Sequence, residues 1–193
     1  MGDAARHSRR EVLTLPNAVT VVRLGCVPLF VWLLFGAHHP VGAALLLAAL
    51  GSTDWVDGQL ARRLGQVSTV GKVLDPAADR VLVATAVVST IVAGAVPEWF
   101  GVATITREAA VSLAVLVLAG LGAPRIDVLP VGKAGTFALM TAYPAFLLAD
   151  GRAGWQSDLR VVAWVVGLAG LALAWIAALS YVPVARRALA ARH

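Results

Sequence analysis

The sequence predicts an all-α polytopic membrane protein, with six transmembrane helices behind a short N-terminal interfacial helix. Three observations carry that prediction. Of 193 residues, 59% are hydrophobic and only 14% charged, too apolar for a soluble domain of this length. The apolar residues fall in successive runs close to the ~20 residues that cross a hydrocarbon core. Short connections bearing Gly, Pro, His or charge separate the runs.

Taken in order, residues 3–13 include Arg6, Arg9 and Arg10 and predict a basic interfacial helix. A cleavable signal peptide is the competing reading. It is disfavoured because no small-residue cleavage site stands where one is needed and five more apolar segments follow. The first crossing covers roughly 18–36 and stops at Ala37-His38-His39-Pro40. The second and third cover roughly 41–62 and 71–95, and Pro97 separates the third from the fourth, roughly 98–122. Pro124 and Pro130 precede the fifth, roughly 131–150, and the sixth runs over roughly 160–185. Pro28, Pro144 and Pro183 sit inside apolar runs and predict local kinks or ends. Glycines within the helices, Gly167 and Gly170 among them, suit close helix packing in lipid. Residues 1–193 thus read as a single membrane domain, with 1–16 cytoplasmic or interfacial and 186–193 a cytoplasmic tail.

The formal net charge is +5, but its distribution does not suit nucleic acid. Arg6, Arg9 and Arg10 precede the first run; Arg186, Arg187 and Arg192 follow the last, and no interleaved aromatic-basic surface is visible. Clusters next to membrane helices fit the positive-inside rule and attraction to anionic headgroups. The 62–72 and 122–133 connections are also basic, whereas 36–40 and 94–98 carry no Lys or Arg. Both termini are therefore expected in the cytoplasm, in a multi-pass protein of the cell membrane. Arg152 and Arg160 run against this pattern, accompanied by Asp150 and Asp158. Cys26 is the sole cysteine, so neither a disulfide framework nor a cysteine metal cluster forms within one chain.

The chemistry-bearing segment reads Asp54-Trp-Val-Asp57-Gly58-Gln-Leu-Ala61-Arg62, eight residues, then Gly71-Lys-Val-Leu-Asp75-Pro-Ala-Ala-Asp79. Carboxylates between apolar runs are costly unless hydrated, paired or metal-bound. Asp54 and Asp57 are three apart and Asp75 and Asp79 four apart, so each pair shares one face of its own helix. Two such helices packed antiparallel would gather four oxygen ligands for hard divalent cations.

The spacing Asp-x2-Asp-Gly-x2-Ala-Arg-x8-Gly-x3-Asp-x3-Asp resembles the signature of the CDP-alcohol phosphotransferase (CDP-alcohol phosphatidyltransferase) family, with all eight fixed positions present. At roughly 5–10% per position, eight chance matches at one start have odds on the order of one in a billion. Leu15-Pro16-Asn17-Ala18-Val19-Thr20-Val21-Val22-Arg23, Leu74-Asp75-Pro76-Ala77-Ala78-Asp79 and Thr106-Arg107-Glu108 resemble the branch that makes phosphatidylglycerophosphate or cardiolipin. The last third of the chain resembles the family only in hydropathy.

The resemblance implies transfer of the phosphatidyl group of CDP-diacylglycerol to an alcohol with release of CMP. Two divalent cations, Mg2+ or Mn2+, would be held by Asp54, Asp57, Asp75 and Asp79, with Asp79 also the general base. Two such ions roughly 4 Å apart can stabilise a leaving phosphate. Gly58 and Ala61 leave room for a nucleotide against the helix, Gly71 lets the two helices approach, and Arg62 can pair with phosphate. Thr53 offers a hydroxyl to the nucleotide or serves as an ordinary interfacial Thr.

For the acceptor, Asn17, Thr20 and Arg23 share one helix face near the cytoplasmic end, with Arg107 and Lys133 at corresponding depth. A structural pairing of Arg107 with Glu108 or Asp127 is the alternative. Glycerol 3-phosphate is the leading acceptor, phosphatidylglycerol the second. Arg80 stands where the glycerophosphate enzymes more commonly carry Lys, which leaves the choice open. A homodimer is also left open.

A different class, an ion or proton transporter with aspartates along its pathway, would not require Gly58-x2-Ala61-Arg62. A scaffold gives no reason for clustered carboxylates. His7, His38, His39 and His193 lie near termini or in a loop, away from the predicted chemistry.

Overall fold

The computed structural model of the protein describes residues 15–64, 71–120, 130–150 and 155–190, and the side chains of 20–53, 78–118, 130–150 and 156–183. Among these residues every regular element is a helix. They are α1 (Leu15–Val31), a π-helical turn (Trp32–Gly36), α2 (Pro40–Leu64), α3 (Gly71–Val92), α4 (Glu98–Gly120), α5 (Pro130–Leu148) and α6 (Trp155–Ala190). The interfacial helix expected over 3–13 lies outside the described residues. Two compact units make up the chain, Met1–Ser89 and Thr90–His193.

In the first unit, α1 passes through Pro28 without ending. One turn later the backbone widens, and the Ala37 N–H donates to the Trp32 carbonyl at 2.8 Å. Proline removes a donor and crowds the carbonyl one turn back, and π geometry occurs mostly as single turns attached to α-helices, as here. The chain then reverses at His38, whose φ of 50° is left-handed. His39 caps α2: its Nδ1 accepts from the Gly42 N–H and its carbonyl from the Ala43 N–H, both at 3.0 Å. Pro40 takes the first helical position, where a missing N–H costs nothing. Gly42 is required by this cap, since a Cβ there would come within 2.7 Å of the His39 Nδ1. The adjacent histidines shape a turn.

The second unit opens on the end of α3, which stops at Val92, short of the expected residue 95. Gly94, at φ 75°, donates to the Ile91 carbonyl at 2.9 Å, and Ala95 to the Thr90 carbonyl at 3.0 Å. This glycine cap closes the helix by satisfying its last carbonyls. Pro144 and Pro183 lie inside α5 and α6, and both helices continue past them. Neither proline ends its helix.

α6 is longer than expected, with 36 residues against a predicted start near residue 160. Its first turn contains Asp158, a carboxylate placed favourably at the positive end of the helix dipole. It also caps its neighbour. The Gln156 Nε2 donates to the Leu148 carbonyl at 3.2 Å, and the Arg160 Nη2 to the Asp150 Oδ1 at 2.9 Å. Of the two basic residues that ran against the charge pattern, Arg160 is ion-paired with Asp150 at the end of α5, and Arg152 lies outside the described residues.

Ala163, Gly167, Gly170, Ala174 and Ala177 of α6 are buried at spacings of three and four, with the larger Gln156, Leu171 and Tyr181 also buried, while Val161, Val165, Leu168, Ile176 and Leu179 are exposed. Small residues inward and large apolar residues outward invert the soluble pattern and match helices that pack in lipid. Gly170 meets Gly135 of α5 at close range, with a Cβ on Gly135 falling 2.7 Å from the Ala174 nitrogen. At the end of the same face Phe100, Phe146 and Trp164 interlock edge to face, and Trp99 stacks on Trp164 with centroids 5.9 Å apart. Two helical stretches, Glu98–Leu118 and Gln156–Pro183, are long and apolar enough to cross a membrane; Thr20–Gly36 and Pro40–Thr53 are shorter apolar stretches.

Gly135→Ala is therefore expected to destabilise the protein by about 1–3 kcal/mol, because its Cβ meets backbone that cannot rotate away. Gly25→Ala, which meets nothing within 4 Å, should leave the thermal midpoint in detergent unchanged or slightly raised. Equal midpoints for the two variants would show that the α5–α6 approach tolerates a methyl group.

Candidate functional site

The aspartate motif falls on two consecutive helices of the first unit. Asp54, Asp57, Gly58, Ala61 and Arg62 lie in the C-terminal part of α2, and Gly71 opens α3 ahead of Asp75 and Asp79. Helical register puts 54, 57, 58 and 61 in one stripe of α2, and 71, 75 and 79 in one of α3. In the polar stretch of α2 the hydroxyls bond backward to the preceding turn. Ser52 donates to the Ala48 carbonyl at 2.8 Å and Thr53 to the Leu50 carbonyl at 2.9 Å. Such bonds satisfy polar groups within the helix. The Thr53 hydroxyl, an expected nucleotide contact, thus spends its proton within α2. Of the remaining motif residues, the side chains of Asp54, Asp57, Ala61, Arg62 and Asp75 lie outside those described, as does that of Asn17. Among the described residues no three His, Cys, Asp or Glu side chains are gathered for a metal.

Asp79 is the aspartate whose surroundings are visible. Its Oδ1 accepts from the Arg23 Nη1 at 2.8 Å, tying α3 to α1. Arg23 is 4% exposed in its side chain, whereas Asp79 keeps 42% accessible. Thr20, one turn before Arg23, is buried too, and on α3 Ala78 and Leu82 are buried beside Asp79. A guanidinium enclosed this way needs a carboxylate or carbonyl partner, and one of the four aspartates meets that need.

The other expected acceptor residues belong to the second unit. Arg107 is buried on α4. Its Nε donates to the Ala174 carbonyl of α6 at 3.1 Å, and its Nη1 pairs with Glu108. The Glu108 pairing is the structural alternative foreseen for Arg107. Lys133, near the start of α5, is exposed. Sequence reasoning missed Thr104 and Tyr143. The Tyr143 hydroxyl donates to the Thr104 Oγ1 at 2.8 Å, which donates in turn to the Phe100 carbonyl at 3.0 Å. No local pattern marks this link, since its partners are distant in sequence.

A family model described as CDP-alcohol phosphatidyltransferase matches residues 13–180. The chain belongs to that family. Membership makes it an enzyme of phosphatidyl transfer and accounts for the motif on α2 and α3. A cardiolipin synthase (CMP-forming) of Streptomyces coelicolor is 42% identical over 92% of this chain and 85% of its own length. The CDP-diacylglycerol--glycerol-3-phosphate 3-phosphatidyltransferase of Bacillus subtilis is 35% identical over 71% and 78%, respectively. A probable phosphatidylglycerophosphate synthase of Mycobacterium tuberculosis is 34% identical over 93% and 85%.

Arg107→Lys keeps the charge but loses the fork that serves Ala174 and Glu108 together. Hydrogen bonds from a charged donor contribute about 1.5–3 kcal/mol, so this variant should melt several degrees below the parent. An unchanged midpoint in a thermal scan would show that the α4–α6 tie contributes little.

Proposed function

We propose that the protein transfers the phosphatidyl group of CDP-diacylglycerol to an alcohol, with release of CMP, at the cytoplasmic face of a membrane that it crosses six times as a single domain. The observation that carries this reading is the complete eight-position motif on two consecutive helices, within a family match that covers most of the chain. The inside-out pattern of α6 supports embedding in lipid.

Asp54, Asp57, Asp75 and Asp79 would hold two divalent cations, Mg2+ or Mn2+. The donor set fits such ions: hard carboxylate oxygens at one-turn spacing, one of them on a carboxylate with accessible surface. When bound, the cations supply charge neutralisation for the pyrophosphate of the donor and the departing phosphate. Gly58 and Ala61 would accept the nucleotide against α2, with Arg62, Thr53 and the close approach at Gly71 completing the donor site. Asp79 would take the proton of the attacking hydroxyl. As that proton leaves, the new O–P bond forms, the bond to CMP breaks, and CMP departs with the electron pair.

Two acceptors fit this chemistry. The higher identity to a cardiolipin synthase, over more of the chain, favours phosphatidylglycerol. Glycerol 3-phosphate is the other, favoured by the glycerophosphate transferases among the relatives. Lys133, which is exposed, is the cation offered for acceptor binding; Arg107, enclosed and engaged by Glu108 and the Ala174 carbonyl, is better placed as a tie between α4 and α6.

The deciding experiment follows CMP release by purified protein from CDP-diacylglycerol with phosphatidylglycerol, glycerol 3-phosphate or no acceptor. Turnover with phosphatidylglycerol alone is expected, and turnover with glycerol 3-phosphate alone would reverse the acceptor. Chelation should abolish CMP release and Mg2+ or Mn2+ restore it; full activity after exhaustive chelation would remove the metal reading. Asp79→Asn should lose on the order of 10²–10⁴ in rate while nucleotide binding persists. For topology, Ala5→Cys and Ala190→Cys in a Cys26→Ala background should label only from the cytoplasmic side, and His38→Cys only from outside. Labelling of the two termini from opposite sides would exclude an even number of crossings.

A further inference from the structure

We propose that Arg23 is a positioning residue for Asp79, holding the proton-accepting carboxylate in place rather than binding the acceptor. The inference rests on the phosphatidyl-transfer reading above, with Asp79 as base. It starts from the 2.8 Å bond between the Arg23 Nη1 and the Asp79 Oδ1, which joins α1 to α3 through residues 56 apart in sequence.

Burial separates the two roles available to Arg23. A cation that captures a headgroup or a small phosphate must present its donors to water or to a wet pocket. Arg23 is 4% exposed and already engaged by a carboxylate. Asp79 has the opposite character, paired yet 42% accessible. A carboxylate has about four acceptor directions, so accepting from Arg23 is compatible with accepting the proton of an alcohol.

Rigidity supports the same assignment. Thr20, one turn before Arg23 on α1, and Ala78 and Leu82, which flank Asp79 in the sequence of α3, are all buried. The guanidinium is a planar, pre-organised donor, and anchoring it on a packed helix restricts the rotamers open to Asp79. Reaction geometry is sensitive to displacements of about 1 Å, so a carboxylate that swings away from the acceptor hydroxyl loses rate rather than substrate affinity.

The test is steady-state kinetics on the full chain in detergent, with CDP-diacylglycerol as donor and phosphatidylglycerol as acceptor (glycerol 3-phosphate if that proves to be the substrate). Arg23→Gln should lower kcat by about 10²-fold while the acceptor KM moves less than about threefold. Arg23→Lys, which restores the charge but not the fork, should fall between the two. The double variant Arg23→Gln/Asp79→Asn should be no slower than Asp79→Asn alone, because both changes remove one function.

Three results would overturn the assignment: a raised acceptor KM with kcat kept, losses that multiply in the double variant, or loss of folded protein in both Arg23 variants but not in Asp79→Asn. The first would return Arg23 to the acceptor site, and the last would make it a packing element independent of Asp79. Failure of the underlying reading looks different: no CMP release by the parent protein, or full turnover by Asp79→Asn.

Discussion

An ionised side chain enclosed by apolar helices must find a partner or draw water to itself, and most of what is specific about this protein follows from how that demand is met. Among the described residues the two buried cations are matched by different devices. Arg23 reaches a carboxylate on another helix. Arg107 divides itself between a neighbouring carboxylate and a backbone carbonyl of α6. Arg160, which is exposed, pairs with Asp150 and so links α6 to the end of α5. Breaking such a pair leaves an uncompensated charge, which costs more than the pair itself contributes. The pairs therefore specify which helices meet.

Packing between these tie points uses small residues. In α6 the stripe of Ala and Gly lets α5 approach until backbone meets backbone at Gly135 and Gly170. Large aliphatic side chains are left on the outer surface, where lipid tails can replace the partners that a soluble core would provide. Aromatic rings collect at one end of the same unit, around Phe100 and Trp164. Tight approach and outward bulk are two sides of one solution, and they suit a lipid surrounding, which supplies no hydrophobic force pressing helix against helix.

Helix ends are handled with equal economy. His39 and Pro40 start α2, Gly94 stops α3, and Gln156 covers the Leu148 carbonyl at the end of α5. Each cap uses a residue that composition alone would file under loop. Pro28, Pro144 and Pro183, which looked like stops, are carried inside their helices. A proline removes one hydrogen bond, but a helix packed on both sides of it retains the rest, and neighbouring packing outweighs the local penalty.

Much of this protein was readable in one dimension. Apolar runs of membrane length separated by turn residues dictate helices, because a backbone with no water to bond must bond to itself. The aspartate spacing declared the family and its chemistry, since one-turn intervals are a property of the helix rather than of the fold. What only the tertiary structure decided is the choice among partners. Nothing in the spacing says that Arg23 on α1 meets Asp79 on α3, 56 residues away; the tertiary structure brings the two together. Arg107 had Glu108 beside it in sequence, but its bond to Ala174 depends on the approach of α4 and α6. Thr104 and Tyr143 carry no signal at all until their helices meet. Local spacing encodes which groups share a helix face; which face meets which is settled by the burial of the whole.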